Sequence, residues 1–228
     1  MKTKLLAISA IFILSTLALQ AQVDFGFLAG VNLQNINGKD SDGDKLENGL
    51  TTGFHAGVNL NILLTTDFYF QPGVLFSVKG AKNDFYLPPG EVADNLSTTT
   101  KLSYIEIPLN VLYRPLLGNG HLLFGFGPYI AYGIMGKETS EFGDVTYERP
   151  VIFKNTVADE TDLVENAYYK AFDAGGNIFF GYEMQMGLFL QLNVQIGMLK
   201  INSDKDWTSD DESSYKNTGY GLSLGYRF

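Results

Sequence analysis

The stretch "YIEIPLNVLYRP", residues 104–115, decides how the fold is read from the chain. Its apolar residues alternate with Tyr104, Glu106, Pro108 and Asn110, which is the period of a β-strand with one apolar and one polar face. A carboxylate and a proline at mid-strand are unusual, because an unpaired charge is costly to bury and proline lacks an N–H donor. The rest of the chain must therefore supply a fold with an enclosed polar face.

The two-residue period recurs in eight segments. They span approximately residues 23–34, 51–63, 67–79, 101–114, 121–136, 171–184, 187–200 and 217–228. Most are long enough to cross a bilayer at a tilt, which takes about 9–11 residues. The links after the second, fourth and sixth segments are short. The other links are long and span roughly residues 35–50, 80–100, 137–170 and 201–216. Short turns on one side and long loops on the other are typical of outer-membrane barrels.

Alternation alone does not say which face is inside, since a soluble lipocalin-like barrel also alternates, with its apolar face inward. Here the alternate set is mostly Gly, Asn, Gln and Ser, which make a poor hydrophobic core but can fill a narrow polar lumen. Aromatic residues of the apolar set lie near strand ends, as in interfacial girdles. They are Phe25, Phe68, Tyr113, Tyr182 and Tyr226 at one end and Phe54, Tyr132, Phe172 and Tyr220 at the other.

The chain ends in "LSLGYRF", and the terminal Phe228 resembles the signal read by the outer-membrane barrel assembly machinery. We therefore predict an all-β fold, an eight-stranded antiparallel up-and-down transmembrane β-barrel of the outer-membrane type. Its expected location is the bacterial outer membrane, and its expected partners are outer-membrane lipid and that machinery.

The first residues predict export. Lys2 and Lys4 precede the uncharged apolar run from Leu5 to Leu19, and Ala21 is a small residue for cleavage. This pattern predicts a signal peptide over residues 1–21 and a barrel domain over residues 22–228; the alternative is a membrane anchor, for which the run is short. There is no cysteine, which excludes disulfides and a lipid-modified cysteine after the signal. The formal net charge of −9 argues against nucleic acid, or anionic lipid headgroups, as partners of a basic patch.

Several stretches resemble the PorT-like outer-membrane β-barrel proteins of Bacteroidota. "YIEIPLNVLYRP" resembles the Glu-Ile-Pro strand of that family, and "LLFGFGPYIAYGI" resembles the Gly-Pro strand that follows it. "FDAGGNIFFGYE" is similar to the Asp-x-Gly strand and "GLFLQLNVQIGMLKI" to the seventh strand. The resemblance covers the mature chain in order. It implies an outer-membrane barrel, and its founding member is implicated in secretion of proteins across the outer membrane.

Six charged residues fall on the polar face and form the predicted lumen network. They are Lys79, Glu106, Arg114, Asp173, Glu183 and Arg227. Buried charges are costly unless they are paired, so we expect salt bridges that rigidify the interior; the alternative is a proton or ion path. The basic partner of Glu106 is not identified by the pattern, and Arg114 is far down the strand. Pro108 predicts a bulge or a missing ladder bond, and a bulge would reverse the faces beyond it.

Two further groups of residues raise alternatives. His55 is expected beside Ser77 near the outer end of the second strand, with Asp173 at a similar height, which raises a lipid A-modifying enzyme as an alternative. No nucleophile motif surrounds Ser77, so no catalysis is expected. Asp40, Asp42 and Asp44 alternate as in calcium-binding loops, but Lys45 and Thr51 replace the glycine and glutamate of an EF-hand. No cofactor is expected.

The long loops are acidic, and residues 137–170 contain "YERPVIFKN", an apolar segment suited to a strand extension or a docking patch. The working hypothesis is a structural or binding protein that acts through acidic extracellular loops and assists protein secretion or envelope integrity. The alternatives are a lipid A-modifying enzyme and a narrow channel.

Overall fold

A computed structural model describes residues 23–85, 96–208 and 211–228; the predicted signal peptide lies outside these residues. The described chain is almost entirely β-structure. Its elements are β1 Val23–Lys39, β2 Thr51–Thr65, β3 Phe68–Phe85, β4 Leu96–Tyr113, β5 Leu116–Leu117, β6 Gly120–Phe142, β7 Val145–Phe153, β8 Thr156–Val157, α1 Asp162–Glu165, β9 Ala167–Tyr169, β10 Phe172–Glu183, β11 Leu188–Gly197, β12 Asp204–Lys205 and β13 Ser214–Arg227. No helix in these ranges has the length and apolar character of a membrane span.

Eight long strands close into a ring. The hydrogen-bonded order is β1–β2–β3–β4–β6–β10–β11–β13, and β13 pairs back onto β1 with every neighbour antiparallel. Val31 on β1, for example, lies between Phe54 on β2 and Leu222 on β13. A closed ring leaves no unpaired strand edge in the apolar zone of a bilayer, which is the condition for spanning it with β-strands. The predicted eight-stranded up-and-down barrel is confirmed.

The barrel is apolar outside and largely polar inside. On β4, Ile105, Ile107 and Leu109 point outward and are 37–38% exposed, whereas Tyr104 and Glu106 are buried in the interior. Large exposed apolar residues cover the outer face of the other ring strands in the same way. A soluble barrel would have the reverse arrangement, so the lipocalin-like alternative is excluded.

Of the two effects expected from Pro108, the bulge is absent, whereas a missing ladder bond fits the interruption of the β3–β4 pairs between Pro72–Leu109 and Leu75–Glu106. Pro108 pairs with Tyr129, and Pro72 pairs with Leu109, within registers that do not shift at that point. A Cβ at Gly73 would lie 3.3 Å from Pro108 Cγ, so the missing side chain at Gly73 leaves room for the proline ring. The faces therefore continue unchanged to the end of β4, where Tyr113 is exposed.

The irregularity of β4 lies higher, between Ser103 and Tyr104. Ser103 pairs with Met135 and Tyr104 with Gly133, which leaves Ile134 as the extra residue on β6. Ile134 and Met135 are both exposed as a result. The bulge therefore occurs in the tyrosine-rich upper part of the barrel, where β6 leaves the ring and continues outward.

The long links on the outer side are mostly ordered β-structure. β3, β4 and β6 continue as paired strands beyond the ring, and β6 turns back into β7. The strand extension considered for residues 147–155 is therefore present as β7, which ends at Phe153. The end of β7 pairs in parallel with β9, and β8 pairs in parallel with β12. We call residues 143–171, 198–208 and 211–213 the extracellular cap.

A buried apolar cluster joins the cap to the barrel. It contains Ile36, Ala81, Leu102, Tyr104, Tyr129, Ala131, Val151, Ala167, Tyr169 and Ile201. Leu102 and Ile201 are fully buried, although one belongs to a ring strand and the other to the cap. The outer mouth of the barrel is therefore covered by packed side chains.

Gly125→Ala is expected to destabilise the barrel. A Cβ at Gly125 would lie 2.1 Å from the ring of Phe179, which is 3% exposed and packed among other side chains. Forcing that ring aside should lower the free energy of unfolding by about 1–3 kcal/mol. Urea unfolding in detergent micelles measures the change.

Gly176→Ala is the matched control, because the nearest atom to a Cβ there is Met198 Cε at 3.9 Å. It should unfold within about 0.5 kcal/mol of the unmodified protein. Equal urea midpoints for both variants would contradict the packing argument.

Candidate functional site: the barrel lumen and its extracellular cap

Lys79 is the centre of an ionic cluster in the upper lumen, and it is the partner of Glu106 that the sequence pattern left open. Its Nζ lies 2.9 Å from Glu106 Oε2 and 3.2 Å from Asp173 Oδ2. The three side chains are 0%, 4% and 0% exposed. Because β3, β4 and β10 contribute one charge each, the cluster connects strands from different parts of the ring.

Aromatic and amide groups complete this upper cluster. Lys79 Nζ lies 4.1 Å from the ring centroid of Tyr129, whose hydroxyl donates to Asp173 Oδ2 at 3.2 Å. Asn217 Nδ2 donates to the same carboxylate oxygen at 3.0 Å, and Gln195 Nε2 donates to Glu106 Oε1 at 2.7 Å. Charge-assisted hydrogen bonds of this kind compensate for desolvation of the ions. The cluster therefore fills the lumen at this height with groups that support one another.

A second ionic cluster lies at the periplasmic end. Glu183, the last residue of β10, bonds to Arg114 and accepts from Arg227 Nε at 2.8 Å. Arg227 also donates through Nη1 to Asn59 Oδ1 at 3.1 Å, and Arg114 Nη1 lies 3.6 Å from Asp24 Oδ2. The six charged residues of the predicted network thus form two separate groups of three, at different heights.

An apolar layer lies in the lumen as well, which the sequence reasoning missed. It contains Leu28, Leu112, Leu123, Phe179 and Phe189. The available signal was glycine at inward positions: Phe179 pairs across strands with Gly125, and Phe189 pairs with Gly225. The absent side chains make room for the two rings.

A small polar cavity lies next to this layer. Its volume is about 70 Å³, which is room for roughly two water molecules. Its wall includes His55, Asn110, Asn177 and Gln191. The oxygen of the Asn110 side chain and the nitrogen of the Asn177 side chain are buried without a protein partner, so water is the natural occupant. Ionic clusters, apolar layer and cap leave no wide path through the described part of the lumen.

His55, Ser77 and Asp173 are not joined by hydrogen bonds among the described residues. His55 and Ser77 are opposite each other in the pairing of β2 and β3, but no hydrogen bond joins them. Instead, Nδ1 of His55 lies 2.7 Å from Asn32 Oδ1 and Nε2 lies 2.7 Å from Ser223 Oγ. Asp173 is engaged by Lys79. The expected position of His55 beside Ser77 is therefore present, but the register gives His55 and Asp173 other polar partners.

The three aspartates of the first loop do not converge on a metal position either. Asp40 Oδ1 accepts the backbone N–H groups of Asp42 at 3.0 Å and Asp44 at 2.9 Å, which stabilises a turn. Among the described residues, no three His, Asp or Glu side chains are close enough together to hold a metal ion. The alternating aspartates therefore form a turn in this structure.

The extracellular cap is held by its own polar contacts. Arg149 bonds to Glu138 and donates to the backbone oxygen of Leu163 at 2.7 Å. Lys170 Nζ lies 2.8 Å from Asp204 Oδ2, and its hydrogen bond holds the pKa of the Asp204 carboxyl below the usual range. The contribution of this pair to the stability of the folded protein is therefore present at neutral pH and is lost as the pH falls through that lowered pKa.

The cap surface is acidic. Residues 137–170 contain eight Asp and Glu against four Lys and Arg. Trp207 lies on the cap and is 36% exposed. The surface that faces away from the membrane therefore carries the excess negative charge of this loop.

Phe228, the predicted assembly signal, lies at the periplasmic end in an aromatic group. Its ring centroid is 6.1 Å from that of Phe25 and 5.0 Å from that of Tyr226, and its N–H donates to the oxygen of Phe25 at 2.9 Å. The side chain is 71% exposed. Its recognition by the assembly machinery stays a prediction.

The sequence profile of the family described as outer membrane protein beta-barrel domain matches residues 19–203. The chain belongs to this family. It is a bacterial outer-membrane β-barrel protein, as the closed ring with its apolar exterior also indicates. No curated protein matches the sequence significantly.

Solved outer-membrane proteins show a distant likeness. Ail, the attachment invasion locus protein of Yersinia pestis, is 13% identical, with a TM-score of 0.37 and coverage of 90% of this chain and 99% of its own. Neisserial surface protein A is 12% identical, with a TM-score of 0.42 and coverage of 90% and 97%. An outer membrane channel from Pseudomonas putida is 10% identical, with a TM-score of 0.28 and coverage of 90% and 95%. These scores are too low to support a functional comparison.

Lys79→Met is expected to be strongly destabilising, because it leaves Glu106 and Asp173 buried without their cation. Removing one partner of a buried ion group costs about 3–5 kcal/mol. The free energy of unfolding, measured by urea titration after refolding into lipid vesicles, should fall by that amount. Lys82→Met is the control, since the Lys82–Asp84 pair is 44% and 43% exposed and should contribute less than about 1 kcal/mol.

The triple variant Lys79→Met/Glu106→Gln/Asp173→Asn separates charge from shape. It removes all three charges and should recover part of the stability lost in Lys79→Met. If Lys79→Met alone were as stable as the unmodified protein, Lys79 would not be stabilising the two carboxylates.

The filled lumen predicts that the protein does not conduct ions. Reconstituted in planar bilayers, it should give no stable unitary current, whereas an open porin reconstituted in the same way supplies the positive control. Reproducible current steps from the unmodified protein would show that the ionic clusters or the cap open.

Proposed function

We propose that the protein acts through its extracellular cap as a structural or binding component of the outer membrane and catalyses no reaction. The main support is the contrast between its two regions. The lumen is filled by two ionic clusters and an apolar layer, whereas the cap is a packed, acidic surface on the outside. A rigid barrel that presents a shaped surface suits binding better than transport.

The cap has the properties of a preorganised surface. Parallel pairing of β7 with β9 and of β8 with β12 fixes loops that would otherwise be mobile. A rigid surface loses little conformational entropy when a partner binds. Because the excess charge is negative, the expected partner presents a basic surface, which would also speed its encounter with the cap.

The finer assignment is to the PorT-like proteins, with a role in protein secretion or envelope integrity. It is supported by the resemblance of the Glu-Ile-Pro strand, the Gly-Pro strand and the Asp-x-Gly strand. Glu106 and Asp173, which belong to two of these motifs, both bond to Lys79. Two of the motifs thus contribute to one internal cluster, and this contribution is a structural reason for the presence of their acidic residues.

A deletion strain of the source bacterium tests this function. Its culture supernatant should lack secreted proteins, or its cells should become sensitive to detergent, and a plasmid copy should restore the defect. The informative variant neutralises three exposed cap residues that lie outside ion pairs: Asp144→Asn, Glu160→Gln and Glu165→Gln. We expect this variant to reach the membrane, as shown by heat-modifiable migration, and to fail to restore the defect.

His55→Gln is the matched control for the enzyme alternative, and it should restore the defect as well as the unmodified copy. Full restoration by the cap variant, or failure of a correctly folded His55→Gln protein, would overturn the proposal.

A further inference from the structure

The barrel exterior carries a cross-strand pair of lysines that the sequence does not place together. Lys101 on β4 is directly opposite Lys137 on β6. Both are exposed on the outer face, because their neighbours Leu102 and Glu138 point inward and are buried. Like charges directly opposite each other on a sheet repel, so the bare pair is unfavourable without an anion.

The pair lies at the upper limit of the apolar belt. On β6, the exposed Met135 precedes Lys137 by two residues, about 7 Å along the strand. On β4, the exposed Ile105 lies four residues further towards the periplasmic end than Lys101, and Ser103 lies between them. Lys101 and Lys137 are therefore at the height where acyl chains end and the headgroups of the outer leaflet begin.

The surrounding charges leave the pair available for a ligand. Lys137 Nζ contacts Glu148 Oε1 at 2.6 Å, but the two side chains are 53% and 54% exposed, so this ion pair is weak and exchangeable. Lys82 on β3 pairs with Thr99, two residues above Lys101, and contacts Asp84 at 3.0 Å. Within the described ranges, no carboxylate lies within 4 Å of the ammonium group of Lys101.

Lys101 and Lys137 are both exposed, so their ammonium groups are accessible from the outside of the barrel. The neighbour of Lys101 on β3 is Gly80, which is buried and forms no pocket beside the pair. The two exposed side chains alone would therefore hold a phosphate.

We propose that Lys101 and Lys137 form a site for a phosphate of the glycolipid headgroup in the outer leaflet, that is, of lipid A. Two ammonium groups on adjacent strands match one phosphate, and the acyl chains of the same molecule lie along Ile105, Tyr132 and Met135. The acidic net charge of the whole chain gives no indication of this local basic pair, because the excess carboxylates belong to the loops above it. This proposal differs from the expectation from composition, which argued against anionic lipid headgroups as partners of a basic patch.

The test uses the full-length mature protein in detergent and native mass spectrometry. The probes are bisphosphorylated lipid A, the same lipid without phosphates, and inorganic phosphate alone. The site variant is Lys101→Gln/Lys137→Gln. The control is Lys39→Gln/Lys45→Gln, which removes a second cross-strand lysine pair. Lys39 is six residues further out along β1 than Leu33, the last strongly exposed apolar residue of that strand, so this pair lies above the apolar belt.

We expect the unmodified protein and the control to retain bisphosphorylated lipid A, and the site variant to bind it roughly ten- to thirtyfold more weakly. Lipid A without phosphates should bind the unmodified protein more weakly by a similar factor. Heat-modifiable migration verifies that each variant is folded.

Equal retention by the site variant and the unmodified protein would overturn the proposal. So would equal binding of lipid A with and without phosphates. Binding of inorganic phosphate as tight as that of the lipid would assign the pair to a free anion and would overturn the lipid assignment.

Discussion

The attraction between one ammonium group and two carboxylates determines much of this structure. Lys79 is fully buried between Glu106 and Asp173, and each of the three charges would be costly in the lumen alone. Their strands must therefore be in a register that brings the side chains together. Tyr129, Asn217 and Gln195 donate further hydrogen bonds to the two carboxylates, which favours this arrangement of the upper lumen.

Closure of the sheet explains why this cost is tolerated. A β-structure in a bilayer must pair every strand, and a ring of eight strands encloses a space too small for bulk water. Its interior must therefore be filled with side chains, as a protein core is. The chain does this in layers, with charges at two heights and apolar rings between them. The result is a stiff support for the surface above it.

The sequence predicts the fold well because facing along a strand depends on a local period of two. Glu106 and Asp173 could be assigned to the interior from their neighbours alone. The pairing of Glu106 with Lys79 could not, since it depends on register between strands that the sequence separates. The position of His55 beside Ser77 followed from the turn, but its hydrogen bonds to Asn32 and Ser223 depend on pairing with strands distant in sequence. The bulge considered at Pro108 is absent, because the missing side chain of Gly73 on the neighbouring strand leaves room for the proline ring.

The parallel pairing of β8 with β12 has a consequence for how this protein can vary. Thr156 and Val157 belong to the third outer loop, and Asp204 and Lys205 belong to the fourth. Surface loops usually vary more in length and sequence than the strands that they connect. Here an insertion in either loop would displace its partner strand in the other. The two loops are therefore expected to change together over evolutionary time, as a single unit.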